Sequence, residues 1–319
     1  MRYSIAMLQV GLMLLAGCTT ATTRSSSGVS TGTDTSGRTA TPAEIEELLA
    51  ESPTLELPST GKVTESFDNG EVDWSDNRVR ATGTGVVDPD NPNRAQARLM
   101  AQRAAVVVAQ RNLLEIVQGV RVDSETRVEN FMTDYDVIYT RVEGVVRDAR
   151  QIGPAVYDSA AGTVEVELEM EIYDSGGLSG AISAALESPA AGDLAVSEQT
   201  REFLQQYSGL VLNGTDAGLK PSMYPKIYDS DGNLLIDTSH YASYLGIGEG
   251  TALQFISDLD RVLSQSGLSG SPLVLNVRQA VGQLGTDIVL GEEESDALGW
   301  LKSGLPLLMS AGKFLLGVL

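Results

Sequence analysis

The sequence predicts an α+β protein: a long helix packed on an antiparallel sheet, followed by a second, smaller α/β unit. Three observations predict it. In residues 163–172 Val164, Val166, Leu168, Met170 and Ile172 alternate with Glu165, Glu167, Glu169 and Glu171, and a period of two marks a strand with one dry and one wet face. In residues 94–118 an Ala-rich apolar pattern runs from an Asp-, Asn- and Pro-rich loop to Gly119, the start and stop of a long helix. Residues 197–319 then mix strand-like and helix-like segments.

The chain opens with Arg2, a mostly apolar run over residues 5–15, and then Leu15-Ala16-Gly17-Cys18. The run is too short to cross a bilayer as a stable helix and has the plan of a secretory signal. Ending on small residues against a cysteine, it resembles a bacterial lipobox. That resemblance implies cleavage between Gly17 and Cys18, a thiol-linked lipid on Cys18, and acylation of the new amino terminus by chains such as palmitate. Each buried methylene contributes roughly 0.8 kcal/mol, so several chains on one residue hold a protein at a membrane far longer than one does. Thr19, where an Asp commonly retains such proteins at the inner membrane, implies the periplasmic face of the outer membrane. Residues 18–41 are mostly Thr, Ser, Gly and Ala, which reads as a flexible tether spanning about 25–30 Å.

Thr41-Pro42-Ala43-Glu44 has the cap, the first-turn proline and the third-position glutamate of a helix start. Within residues 42–78 this short helix stops before Pro53, and an irregular polar stretch follows. The first domain spans residues 79–173. Its opening strand carries Gly83-Thr84-Gly85, and the long helix follows. Inside that helix Ala104, Ala105, Val106, Val107, Val108 and Ala109 are consecutive apolar residues. A helix apolar all round must be covered on more than one side, so this stretch is the candidate for self-association. Residues 137–150 read as a strand whose arginines would meet the glutamates of 163–172 across a ladder. Residues 174–196, rich in Gly, Ser and Ala, read as a linker.

In the second domain, residues 197–319, a hairpin is expected over 225–236 and a helix over 251–265. Strands are expected over 273–277 and 286–290, a helix over 292–302, and a last strand over 313–319.

The formal charge of −21, from 43 acidic and 22 basic residues, speaks against nucleic acid, because nonspecific affinity comes from Lys and Arg displacing counterions. One cysteine and one histidine leave no internal disulfide and no thiolate metal cluster.

Gly83-Thr84-Gly85, the helix ending Leu113-Leu114-Glu115-Ile116-Val117-Gln118-Gly119-Val120, and the expected strand over 137–150 followed by the Val/Glu strand together resemble the Lpp-twenty family of surface lipoproteins. That family is related to the flagellar lipoprotein FlgP and to the amino-terminal domain of FlgT. The resemblance covers residues 79–173 and implies a helix on an antiparallel sheet that builds or braces envelope structures, the flagellum among them. Behind it, Tyr207-Ser208-Gly209-Leu210 and Lys220-Pro221 through Gly232 are similar to a segment found after that domain in longer lipoproteins.

No constellation carries a strong catalytic, cofactor or metal signature. Glutamates two apart on a strand lie roughly 7 Å from one another, too far for one ion to take all four. Asp229-Ser230-Asp231-Gly232-Asn233 begins like a calcium loop, yet His240 stands where the closing Glu belongs. Asp237-Thr238-Ser239-His240 has triad residue types without a nucleophile elbow. Gly83-Thr84-Gly85 lacks the third glycine of a dinucleotide loop and reads as close helix packing. The sequence thus favours a noncatalytic lipoprotein that reaches the membrane through its lipid and partners copies of itself or other envelope proteins. The alternative is a periplasmic binding module for peptidoglycan, a glycan or a small ligand, with Tyr207, Tyr224, Tyr228, Tyr241 and Tyr244 converging on a pocket.

Overall fold

A computed structural model of the chain describes residues 38–53, 61–186, 195–244, 253–261 and 271–317. Gly17 and Cys18, with most of the expected tether, lie outside them. The tether's last residues, β1 (Arg38–Thr39), pair antiparallel with β7 (Ala195–Val196). Helix α1 (Pro42–Glu51) has the expected capping box: Thr41 accepts from the Glu44 amide, and the Glu44 carboxylate accepts from the Thr41 amide.

The first sheet contains β2 (Thr64–Phe67), β3 (Gly70–Asp73), β4 (Arg78–Val86), β5 (Arg150–Asp158) and β6 (Thr163–Glu171). Its order is β2-β3-β4-β6-β5, antiparallel throughout. The hairpin β2–β3 occupies residues expected to be irregular and buries Val72 and Trp74. Helix α2 (Arg94–Gly119) lies across this sheet and buries Ala97, Ala101, Ala105 and Ala109 at every fourth position, one stripe of a 3.6-residue helix. A Cβ at Gly83 would stand 2.2 Å from the Ala105 carbonyl oxygen, and one at Gly85 2.0 Å from that of Ala101. The α+β expectation, with a long helix on an antiparallel sheet, matches this lobe, and the paired glycines act in helix packing.

A helix replaces the strand expected over 137–150, and another precedes it. They are α3 (Val128–Asp134) and α4 (Asp136–Arg147), and α4 buries Ile138, Val142 and Val146. Spacing of four fits a helix face as well as even parity fits a strand, and the pairing strand proves to be β5, broken by a bulge between Ile152 and Val156. The first part of the expected linker is likewise ordered: α5 (Leu178–Ile182) buries Leu178, Ala181 and Ile182.

The second sheet contains β8 (Leu210–Asn213), β9 (Lys226–Tyr228), β10 (Leu234–Asp237), β11 (Gln254–Ile256), β12 (Leu273–Val281), β13 (Asp287–Leu290) and β14 (Phe314–Gly317), in the order β10-β9-β13-β12-β8-β14-β11. It is mixed: β8 is parallel to both neighbours, β12 and β14, and its Leu210, Val211 and Leu212 are all buried, as a strand covered on two faces requires. Helix α6 (Glu198–Gln206) and helices over Glu292–Leu301 and Leu305–Ser310 complete this lobe. The expected hairpin, the two strands, the helix after residue 291 and the final strand are present. The helix expected over 251–265 is not: Gln254–Ile256 is strand, with Phe255 buried. Helix begins only at 259–261, where the Asp258 carboxylate caps the Arg261 amide; residues 251–252 and 262–265 lie outside the described ones.

Buried side chains of the two lobes form one continuous core. Trp74 of the first meets Phe255 of the second edge to face at 5.7 Å. No described helix is long and apolar enough to cross a membrane.

Because the α2 backbone rests on strand backbone, Gly85→Ala should cost about 3 kcal/mol, the upper end of the usual range for core overpacking. At Gly144, mid-helix in α4 with nothing within 4 Å of an added Cβ, alanine should instead stabilise by up to about 1 kcal/mol. Urea unfolding of the two variants checks the contrast.

Candidate functional site

The six residues expected to mediate self-association do not share one environment. Ala105 and Ala109 are buried against the glycines of β4, Val106 and Val108 are half-buried, and Ala104 and Val107 are exposed. The stretch is covered on more than one side, but Ala104 and Val107 are left in solvent. The sheet takes one side, and α4 takes an adjoining one, where the Gln110 side chain donates to the Arg147 carbonyl at 3.0 Å. The remaining side carries Leu99, Met100 and Val107, each more than half exposed, together with exposed Arg103 and Arg111; Arg98 turns to the sheet side and stacks over the Tyr157 ring at 4.1 Å. Glu115 is the helix's one acidic residue.

The opposite face of the first sheet holds the four glutamates. Their partners come from β4 and the start of β5, not from residues 137–147. Glu169, only 4% exposed, accepts from Arg78 Nη1 at 3.1 Å, Arg80 Nε at 2.8 Å and Arg150 Nη2 at 2.6 Å. Burial alone would raise its carboxyl; hydrogen bonds from Arg80 and Arg150 and the charge of Arg78 hold it below the usual range. Glu165 and Glu171 stay in solvent and Glu167 is half-exposed. Among the described residues no group of three His, Cys, Asp or Glu side chains is placed to hold a metal ion.

The calcium-like loop is a turn. Asp229 Oδ1 accepts from the amides of Asp231 and Asn233, its Oδ2 accepts from Asn233 Nδ2, and Gly232 takes φ +84°. Both carboxylate oxygens thus close the β9–β10 hairpin.

Asp237, Ser239 and exposed His240 line a cleft of about 180 Å³, with Asp123 and Lys226 beside them and Phe131 as an apolar wall. Ser239 donates its hydroxyl proton to Asp237 Oδ1 at 2.6 Å and its amide to the same oxygen, so this serine serves as a turn cap. Lys226 Nζ stands 3.6 Å from Asp123 Oδ2. Burial would lower its pKa, but the charges of Asp123, Asp237 and Asp287 together raise it. Of the five tyrosines proposed to converge, only Tyr224 lines this cleft. It is buried edge to face against Tyr173 at 6.0 Å, and burial drives its phenol far up. Tyr207 packs on Phe203 instead, at 5.3 Å.

Sequence reading missed the polar seam between the lobes. Arg121 donates through Nε to the Pro221 carbonyl at 2.7 Å and through Nη1 and Nη2 to Glu65. Glu65 also receives Trp74 Nε1 at 2.8 Å. Backbone bonds from Met223 and Tyr224 to Arg121 and Val122 join the same edges. Nearby, Ser124 Oγ and the Lys226 amide both donate to Asp287, a carboxyl that burial raises. Arg121 is 56 residues from Glu65 and 100 from Pro221, and Ser124 is 163 from Asp287, so no local signal could have paired them.

Arg121 is 14% exposed, so Arg121→Ala leaves the Glu65 carboxylate and the Pro221 carbonyl short of a partner. The expected loss is about 2–3 kcal/mol, measured by chemical unfolding.

Glu169→Gln should cost about 1–3 kcal/mol at neutral pH, discounted because Arg150 is largely exposed. The native carboxyl titrates below its unfolded value, so its contribution is present above the ordinary carboxylate range and is lost as pH falls through the native value. Unfolding free energies of wild type and variant should therefore converge in acid.

Residues 209–305 match a family model described as the second domain of Treponema pallidum Tp0624. The matched stretch contains β8–β10 and β11–β13, and leaves out β14 and the whole first lobe. A search of curated proteins finds no match. The chain's second lobe is thus similar to that Treponema domain.

Proposed function

We propose that the protein is a lipid-anchored lipoprotein of the periplasmic face of the outer membrane with a noncatalytic, structural or assembly role in the cell envelope. The observation that carries this reading is Leu15-Ala16-Gly17-Cys18 at the end of a short apolar run. Acyl groups on Cys18 would supply the hold on the bilayer. The folded lobes add support. Their charged clusters at Glu169, Arg121 and Asp287 are spent on internal pairing, while α2 presents an arginine-studded apolar face outward. The resemblance of residues 79–173 makes the flagellum one envelope structure such a module could serve.

A second reading, a periplasmic binding module, draws on the cleft beside Asp123, Lys226 and Asp237. Two carboxylates about one ammonium suit a small cationic or zwitterionic ligand better than an anion.

The test of the first reading is Cys18→Ser in the full chain. The expected result is loss of the acyl mass and transfer of the protein out of the membrane fraction. An unchanged mass and unchanged fractionation would overturn the anchor.

A further inference from the structure

The outward face of α2 and the open face of the first sheet differ in charge and lie on opposite sides of the same lobe. Along α2, Arg103 and Arg111 flank Leu99, Met100 and Val107, which are 61%, 57% and 56% exposed, while Arg98 lies on the sheet side of the helix, 4.1 Å over the Tyr157 ring of β5. This helix is basic on a chain whose net charge is −21. On the sheet, Val86 and Val156 are 74% and 62% exposed and stand with Thr84, Glu165 and Glu167 on the face turned away from α2. The arginines of that face, Arg78, Arg80 and Arg150, are gathered at its other end on Glu169. The end near Val86 is therefore apolar and acidic.

We infer that the arginine-flanked face of α2 docks on the Glu165–Glu167 face of the sheet in a second copy of this chain, joining copies head to tail. The inference rests on the assembly reading above and names the partner and the two surfaces. Charge argues for it: arginine meets glutamate, with Leu99, Met100 and Val107 covered by Val86, Val156 and the threonines between them. Length agrees as well. Residues 94–111 of a helix run about 26 Å, and nine-residue strands such as β4 and β6 run about 30 Å. A symmetric pairing of two α2 faces is disfavoured, because arginines would stand against arginines with only Glu115 to offset them. Since the two faces lie on opposite sides of one lobe, a copy cannot satisfy itself. Such an unlike-surface contact propagates into a ring or a filament and does not stop at a dimer.

Cysteine cross-linking of the full chain in its membrane tests this. Val86→Cys and Val107→Cys are made singly and together, and treated with a flexible bismaleimide. Both positions are exposed, so the substitutions leave the fold intact. The double variant should give a ladder of dimers, trimers and larger species. Each single variant should stay monomeric, and the two co-expressed should stop at the dimer. Adding Arg103→Glu and Arg111→Glu to the double variant should abolish the ladder. Dimers from Val107→Cys alone, or no cross-link from the double variant, would overturn the head-to-tail contact. Wild type, whose sole cysteine is Cys18, separates the two ideas. A cross-link there reports a free thiol and counts against lipidation; the same series on a Cys18→Ser background then tests docking without the anchor, a ladder from the double variant with monomers from each single one supporting it and no ladder overturning it.

Discussion

The first lobe depends on one close contact: the backbone of α2 lying against the backbone of β4 where Gly83 and Gly85 remove the side chains between them. Ala101, Ala105 and Ala109 complete the approach, so helix and sheet meet without a layer of large side chains. Little apolar area is gained per residue by such small groups. Stability must come instead from dense packing over a long contact and from the large side chains around it: Leu113, Val166, Leu168 and Met170. A helix held this way has one orientation about its axis, because any rotation drives an alanine or a larger residue into the strand. That orientation is what fixes Met100, Arg103 and Val107 in solvent.

Electrostatics divides the molecule in the same way. The charges that sit deepest are paired: Glu169 among three arginines, Arg121 on Glu65, and Asp287 under Ser124. Lys313, 8% exposed, takes the carbonyls of Pro53 and Ser208 and is pulled down by burial. These pairs join segments remote in sequence, and desolvation makes each worth keeping only while its partner is present. The surplus acidity stays on the surface, where it favours solubility and leaves the α2 arginines as an opposite patch.

Much of the fold was legible where local chemistry decides structure. The Val/Glu alternation of β6, the Thr41–Glu44 capping box, the Gly83-Thr84-Gly85 approach and the Asp229 turn all follow from short-range rules. Residues 137–147 did not, because Val142, Gly144 and Val146 satisfy a strand's parity and a helix's fourfold spacing together, and only burial of Ile138 beside them decides. Gln254–Ile256 reads as helix by its apolar spacing, yet a place beside β14 makes it a strand. Of the candidate site, the basic character of α2 is visible in the letters. Which side of the helix stays uncovered is not, since that depends on where α4 packs. The Arg121 and Asp287 pairings were invisible for a related reason: Glu65 lies 56 residues from Arg121, and Pro221 and Ser124 meet their partners across the two lobes.

Native-state hydrogen exchange tests the central claim most directly. If the α2–β4 contact holds the lobe together, the amides of Ala101, Ala105 and Ala109 and those of Val79, Ala81 and Gly83 should open at one shared free energy, equal to that of global unfolding. Exchange of the α2 amides at a distinctly lower free energy, with β4 still protected, would show that the helix leaves the sheet on its own and would contradict the account.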